Sequence, residues 1–171
     1  MNLSKVEKTV YEIANPFAES LGLYVYDVEY VKEGAFWFVR VFVDREETGA
    51  TLDDCEAVSR QIGDALDKKD PIPQNYYLEV ATPGIDRKLR HEEHFRRYCG
   101  REVDVGLYTN AEIIMQNAEI KGKQLTGTLV GYENGIILLN YKNENIQFNL
   151  KDTTQVRLSF DFTELGGHNK K

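Results

Sequence analysis

The spacing of the apolar residues changes near residue 101, and this change limits the folds that are open to the chain. Before it, residues 1–84 predict the order helix, strand, strand, helix, strand. That order favours an α+β domain with both helices on one face of a small three-stranded sheet. After it, short alternating strands separated by Gly and Asn turns predict a small closed β-barrel, because closure removes exposed strand edges.

Each helix of the first domain is predicted from an apolar face. In the first helix the apolar positions recur every three to four residues before Gly22; they are Val6, Val10, Ile13, Phe17 and Leu21. Pro16 predicts a kink, or a restart after Asn15, because proline removes one helical hydrogen bond. The second helix begins with a capping box of Thr51 and Asp54. Its apolar face is predicted to hold Leu52, Cys55, Val58, Ile62 and Leu66.

The strands are predicted from runs of β-branched and aromatic residues. The segments LYVYDVEYV and FWFVRVFVD predict a hairpin with a turn at Lys32-Glu33-Gly34, and residues 76–81 predict a third strand. In the second half, Asn134-Gly135 predicts a two-residue hairpin turn. The predicted boundaries are 1–84 for the α+β domain, 85–100 for a basic helical connector, 101–162 for the barrel and 163–171 for a flexible tail.

Charge is distributed unevenly along the chain. The net charge is −7, and residues 1–83 carry 8 positive against 16 negative charges. Residues 84–101, here called the basic segment, carry 6 positive against 3 negative charges. Because Lys and Arg bind phosphates by displacing counterions, the basic segment is a candidate for contact with RNA, or with an acidic part of a protein partner. A solvated basic helix explains the charge equally well.

No familiar catalytic motif is present. The sequence lacks a Walker loop, a dinucleotide fingerprint and a GxSxG elbow, which weakens an enzymatic interpretation. His91 and His94 have a spacing compatible with one metal ion, but a third ligand is not evident, and a short helix explains them better. Cys55 and Cys99 are interpreted as ordinary thiols. We therefore expect no metal and no cofactor.

The segment LEVATPGIDRKLRHEEHFRRYCGREVDV resembles the signature that joins the two domains of the bacterial ribosome maturation factor RimP family. GLYVYDVEY, LDDCEAVSRQIGDALD with DPIP, and LTGTLVGY extend the resemblance over nearly the whole chain. Residues 108–123 depart from the short basic loop associated with the family. The resemblance implies a barrel of the Sm or SH3-like type and a non-catalytic factor that binds the immature small ribosomal subunit. It also implies a ribosomal protein partner in the decoding region.

The resemblance assigns one set of residues, and the charge of the basic segment gives another. The family signature, structural or binding, falls on Thr82, Pro83, Gly84, Asp86, Arg87 and Leu89. The candidate contacts with RNA or a ribosomal protein are Arg87, Lys88, Arg90, Arg96, Arg97 and Arg101. Arg87 is equally well explained as part of a structural ion pair between the domains. Asp86 is expected to cap the following turn or to pair with Arg87.

The location of the protein is also predicted from its sequence. No apolar stretch approaches the roughly 20 residues that span a bilayer, and the start MNLSKVEKTVYE is unlike a signal peptide. We expect a cytoplasmic monomer with no membrane partner. The alternatives to a ribosome maturation factor are a general RNA-binding regulator and, more remotely, a metal-dependent hydrolase that uses His91 and His94.

Overall fold

The structure is a computed structural model that describes residues 1–108, 113–114 and 123–160. The chain divides into two units, one formed by residues 2–84 and the other by residue 1 with residues 85–171. The predicted loop at 108–123 lies mostly outside the described residues, and the predicted tail at 163–171 lies wholly outside them. No helix in the described ranges is both long enough and apolar enough to cross a membrane.

The first unit has two helices and a three-stranded sheet in the predicted order. Its elements are α1 (Lys5–Ser20), β1 (Tyr24–Glu33), β2 (Phe36–Asp44), α2 (Leu52–Lys69) and β3 (Tyr76–Ala81). The sheet order is β1-β2-β3, with β1 antiparallel and β3 parallel to the central strand β2. Buried residues of both helices and of the sheet form one core. The predicted α+β fold of this part is confirmed.

A capping box starts α1. The hydroxyl of Ser4 accepts a hydrogen bond from the backbone N–H of Glu7 at 3.3 Å, and the Glu7 carboxylate accepts one from the N–H of Ser4 at 2.8 Å. The other carboxylate oxygen of Glu7 accepts the N–H of Tyr30 at 3.2 Å, which ties the helix start to β1. The predicted restart within α1 is wrong, because the helix continues through Pro16. Pro16 is exposed, so water reaches the carbonyl that loses its helical partner.

The capping box predicted at the start of α2 is confirmed. Thr51 Oγ1 accepts the N–H of Asp54 at 3.1 Å, and Asp54 Oδ2 accepts the N–H of Thr51 at 2.8 Å. The guanidinium of Arg45 donates to both carboxylate oxygens of Asp54, at 2.9 and 3.0 Å. The predicted burial of Leu52 is wrong, since this residue is 86% exposed. It is the first residue of the helix, and the buried face of α2 begins only at Cys55.

The predicted hairpin of β1 and β2 is confirmed, but its turn lies further along the chain than predicted. Glu33 pairs with Phe36, so the two turn residues are Gly34 and Ala35. Alternate residues of β2 enter the core between the sheet and the helices. The core contains Val39, Val41 and Val43 of β2 with Val10 and Ile13 of α1 and Val58, Ile62 and Leu66 of α2.

The second unit contains one short helix and an antiparallel sheet. Its elements are α3 (Glu92–Arg97), β4 (Glu102–Leu107), β5 (Ile113–Ile114), β6 (Gln124–Glu133), β7 (Ile136–Tyr141), β8 (Glu144–Asn149) and β9 (Thr153–Leu158), with a 3-10 turn at Leu150–Asp152. The sheet order is β5-β8-β7-β6-β4-β9. Asn134 and Gly135, with φ angles of 51° and 84°, form the predicted turn between β6 and β7. Among the described strands, no pairing joins β5 to β9.

Residues 85–100 take part in the core of this second unit. Leu89 and Phe95 are 1% and 0% exposed and pack with buried residues of the strands. The ring of Phe95 stacks on Tyr132 of β6 with a centroid distance of 4.6 Å. Burial of two large apolar side chains fixes this stretch, including α3, against the sheet.

Candidate binding site

The first residues of the basic segment run beside the last strand of the second unit. The N–H of Leu89 donates to the carbonyl of Val156 at 2.8 Å, and the N–H of Leu158 donates to the carbonyl of Arg87 at 3.0 Å. Lys88 lies opposite Arg157 in this short antiparallel bridge. Residues 87–89 therefore continue the sheet beyond β9, which gives their side chains defined directions.

Arg87 is held by Tyr98, the residue that follows α3. Its Nη1 donates a hydrogen bond to the hydroxyl of Tyr98 at 2.9 Å, and its guanidinium carbon lies 5.9 Å from the centre of the same ring. Arg87 is half-buried. This arginine thus has a structural role within the second unit, where it joins the sheet edge to the end of α3.

Arg96, Arg97 and Arg101 are exposed, as is Lys88. Arg96 and Arg97 lie in the last turn of α3. Arg96 forms an ion pair with Glu92 one turn earlier. Such an exposed pair contributes little to stability, so its cation can be shared with a phosphate at small cost. These four side chains are the accessible part of the predicted contact set.

Leu89 and the two histidines of the basic segment are buried, and Arg90 is half-buried. Nδ1 of His94 accepts the backbone N–H of Arg90 at 3.0 Å and that of His91 at 3.4 Å. Because Nδ1 of His94 accepts these hydrogen bonds, its lone pair is already used by the backbone at the start of α3. Within the described ranges, no three His, Cys, Asp or Glu side chains are grouped to hold a metal ion. The geometry gives the metal-dependent alternative no support.

The signature residues divide between the two units. Thr82, Pro83 and Gly84 follow β3 in the first unit, and Gly84 has a φ of 82°, a conformation that strains residues with a Cβ. Asp86 belongs to the second unit. Its carbonyl accepts a hydrogen bond from Nη1 of Arg157 at 3.2 Å, and its carboxylate lies 4.0 Å from the same nitrogen.

Arg157 is a basic residue that sequence reasoning missed. It lies 71 positions after Asp86, yet β9 places it beside Asp86 and Lys88. Its side chain is 33% exposed. No local motif marks Arg157, because its neighbours come from a pairing between distant segments. Recognising it would have required knowledge that residues 87–89 pair with β9.

The arrangement suits anion binding. Lys88 and Arg157 lie opposite each other at the edge of the sheet. Arg87, the neighbour of Lys88 in the extended chain, points instead to Tyr98 at the end of α3, and the last turn of that helix carries Arg96 and Arg97. Guanidinium groups offer several donors in one plane and bind phosphates or carboxylates through paired hydrogen bonds. A surface with several such groups favours a large anionic partner over a single small ligand.

A comparison with known protein families covers most of the first unit and the start of the basic segment. Residues 13–86 match the family model described as the RimP N-terminal domain. Residues 13–86 therefore form a domain of the RimP N-terminal type. This match confirms the resemblance for the first unit. RimP proteins form a family of ribosome maturation factors without a known enzymatic step, so ribosome-related binding is the role at the level of the family.

Proposed function

We propose that this protein promotes maturation of the small ribosomal subunit in the cytoplasm by binding the immature subunit next to a ribosomal protein of the decoding region. It binds as a monomer and catalyses no reaction. The observation that carries the proposal is the match of residues 13–86 to the RimP N-terminal domain. The exposed cations of the second unit supply a physical means of contact with ribosomal RNA.

The contacts with RNA are proposed for Lys88, Arg96, Arg97 and Arg101, with Arg157 added from the structure. These five residues are here called the basic surface. Arg87 and Arg90, which are half-buried, are proposed to hold the surface in place while adding to its positive potential. Residues 1–83 carry twice as many negative as positive charges, 16 against 8. That charge repels RNA from the first unit and favours binding with the basic surface facing the phosphates.

The second unit is proposed to be an Sm or SH3-like barrel that carries the contact with the ribosomal protein. Support comes from its short antiparallel strands and from tight hairpins such as the one at Asn134 and Gly135. A small barrel presents loops and strand ends on a rigid frame, which is suited to recognition of another protein.

Fractionation of a cell extract on a density gradient tests the function directly. The protein is detected in gradient fractions from normal cells and from cells that accumulate small-subunit precursors. We expect it in precursor fractions, and we expect little of it on mature subunits. Absence from small-subunit fractions of both cell types would falsify the proposal. Equal attachment to precursor, mature subunit and unrelated RNA would instead favour a general RNA-binding regulator.

A further inference from the structure

The first unit has a groove at the end of α2 that the proposed RNA contacts do not use. Its volume is about 990 Å³, and it is lined by the last turns of α2, the loop before β3, the start of β3 and the turn between β1 and β2. All of these residues belong to the unit formed by residues 2–84. Leu66 and Ile72, which are 1% and 5% exposed, give it an apolar floor.

An aromatic pair forms one wall of the groove. Phe36 and Tyr77 are 55% and 56% exposed, and their ring centres lie 5.7 Å apart in an edge-to-face arrangement. Large aromatic side chains left open to water on a folded domain are characteristic of surfaces that bind a partner. The pair offers an apolar side chain of a partner a place to be buried.

The charges of the groove are of one sign. Asp67 and Asp70 are its charged lining residues, and both are exposed. Burial raises the pKa of Tyr76 in the same lining, and the carboxylates of Asp67 and Asp70 raise it further, so their negative potential reaches into the groove. Phosphates are repelled by such a rim, whereas Lys or Arg side chains are attracted.

The sheet edge beside the groove suits an extended chain. In the described part of the protein β3 pairs only with β2, so alternate backbone groups of β3 turn away from the sheet. Tyr76, Tyr77 and Leu78 of β3 line the groove. Extended peptides bind such edges through their own backbone, while alternate side chains enter neighbouring pockets.

We propose that this groove, here called the α2–β3 groove, binds an extended basic segment of a partner protein, with an apolar or aromatic side chain packed against Phe36 and Tyr77. Lys or Arg side chains of that segment pair with Asp67 and Asp70. The occupant differs in chemistry from the RNA proposed for the basic surface, and this inference does not depend on that function.

The test uses the full chain labelled with ¹⁵N and three blocked heptapeptides, followed by NMR titration. The first peptide is Lys-Phe-Lys-Val-Lys-Phe-Lys, the second replaces every Lys with Glu, and the third replaces the apolar residues with Gly. We expect the first peptide to bind saturably below about 1 mM and to shift the amides of Gly63, Asn75 and Leu78. The glutamate and glycine peptides are expected to leave these amides unchanged at the same concentration.

Matched variants assign the binding to the groove. Asp67→Asn with Asp70→Asn removes both charges, and Asn tolerates the positive φ of 42° at position 70. We expect affinity for the first peptide to fall about tenfold, because two exposed ion pairs are removed. Asp64→Asn removes an exposed charge of α2 outside the groove lining and is expected to change affinity less than about twofold. Phe36→Ser is expected to weaken binding with the melting temperature nearly unchanged.

Several results would overturn the inference. They are absence of saturable binding by the first peptide, equal binding of the glycine or glutamate peptide, shifts confined to amides outside the α2–β3 groove, and an equal loss of affinity in the Asp64→Asn control. A single-stranded RNA oligomer that shifts the same groove amides would also reject a basic protein segment as the occupant.

Discussion

Arg87 of the family signature donates a hydrogen bond to the hydroxyl of Tyr98, at 2.9 Å. We expect Tyr98→Phe to lower the free energy of unfolding by about 1 kcal/mol, because it removes the acceptor and keeps the ring. In a double-mutant cycle with Arg87→Met, the coupling energy should be of similar size. Chemical denaturation of the four proteins measures it. A coupling energy near zero would mean that the bond contributes nothing to stability.

Leu89 is expected to act through the core. Leu89 is 1% exposed, so Leu89→Ala should lower the free energy of unfolding by about 2–5 kcal/mol. Ile85→Ala is the matched control, since Ile85 is 59% exposed and its truncation should cost less than about 0.5 kcal/mol. Denaturation curves of both variants show whether Leu89 stabilises the core. Similar small costs at the two positions would show that Leu89 is not needed for packing.

The stability of the first unit should depend on pH through Asp54. Its hydrogen bonds with Arg45, and then with Thr51, lower the pKa of the carboxyl group well below its ordinary value. A lowered pKa stabilises the fold above the unfolded-state value of about 3.9, and this stabilisation is lost as the pH falls below it. The difference in unfolding free energy between the wild type and Asp54→Asn should be constant from about pH 7 to 5 and should shrink towards about pH 3.

Removal of Arg45, the hydrogen-bond partner of Asp54, provides the control for this pH dependence. In an Arg45→Gln background, Asp54→Asn should have a smaller effect and a weaker dependence on pH, since the largest cause of the shift is absent. Denaturation across the pH range measures both series. An effect of Asp54→Asn that is the same at every pH in the wild-type background contradicts the mechanism.

Binding of RNA should depend on Arg96 and Arg97. Replacing both with Ala should weaken binding to a small-subunit RNA fragment and lower the dependence of affinity on salt, by roughly 0.7 in slope for each phosphate that is no longer neutralised. Arg60→Ala is a matched control, because Arg60 pairs with Glu56 as Arg96 pairs with Glu92, and the two arginine side chains are 75% and 74% exposed. Fluorescence anisotropy at several KCl concentrations measures the slopes.

The control separates a defined site from an effect of net charge. Arg60→Ala should leave the slope unchanged if the RNA binds the surface around α3. The double variant at Arg96 and Arg97 removes two charges and Arg60→Ala removes one, so an equal fall for each charge removed would show that binding follows net charge and has no defined site.

Local patterns predicted the elements of the first unit well. Capping residues and apolar spacing act within a few positions of the chain, so Thr51 and Asp54 identified the start of α2 without knowledge of the fold. The same reasoning failed at Leu52, because helical spacing gives a direction but does not say how far the core extends along the helix. It also placed the hairpin turn too early, since pairing of Glu33 with Phe36 decides the turn.

The basic segment was recognised from its charge and from its resemblance to a family, but the sequence did not show which of its basic side chains are exposed. All six basic residues were named as candidate contacts, and Arg87 alone was also given a structural alternative. The structure separates exposed Arg96, Arg97 and Arg101 from half-buried Arg87, whose partner Tyr98 lies 11 positions away. Burial depends on what packs against a residue, and one sequence does not reveal those neighbours.

The sequence by itself determined the order of the elements, the α+β character of the first unit and its resemblance to the RimP N-terminal domain, because these follow from the local spacing of residue types and from contiguous motifs. Only the tertiary structure decided that Leu89 packs in a core, that Arg157 lies opposite Lys88 and that Asp67 and Asp70 border an aromatic groove. These relationships arise where distant segments meet, and strand pairing and close packing fix them.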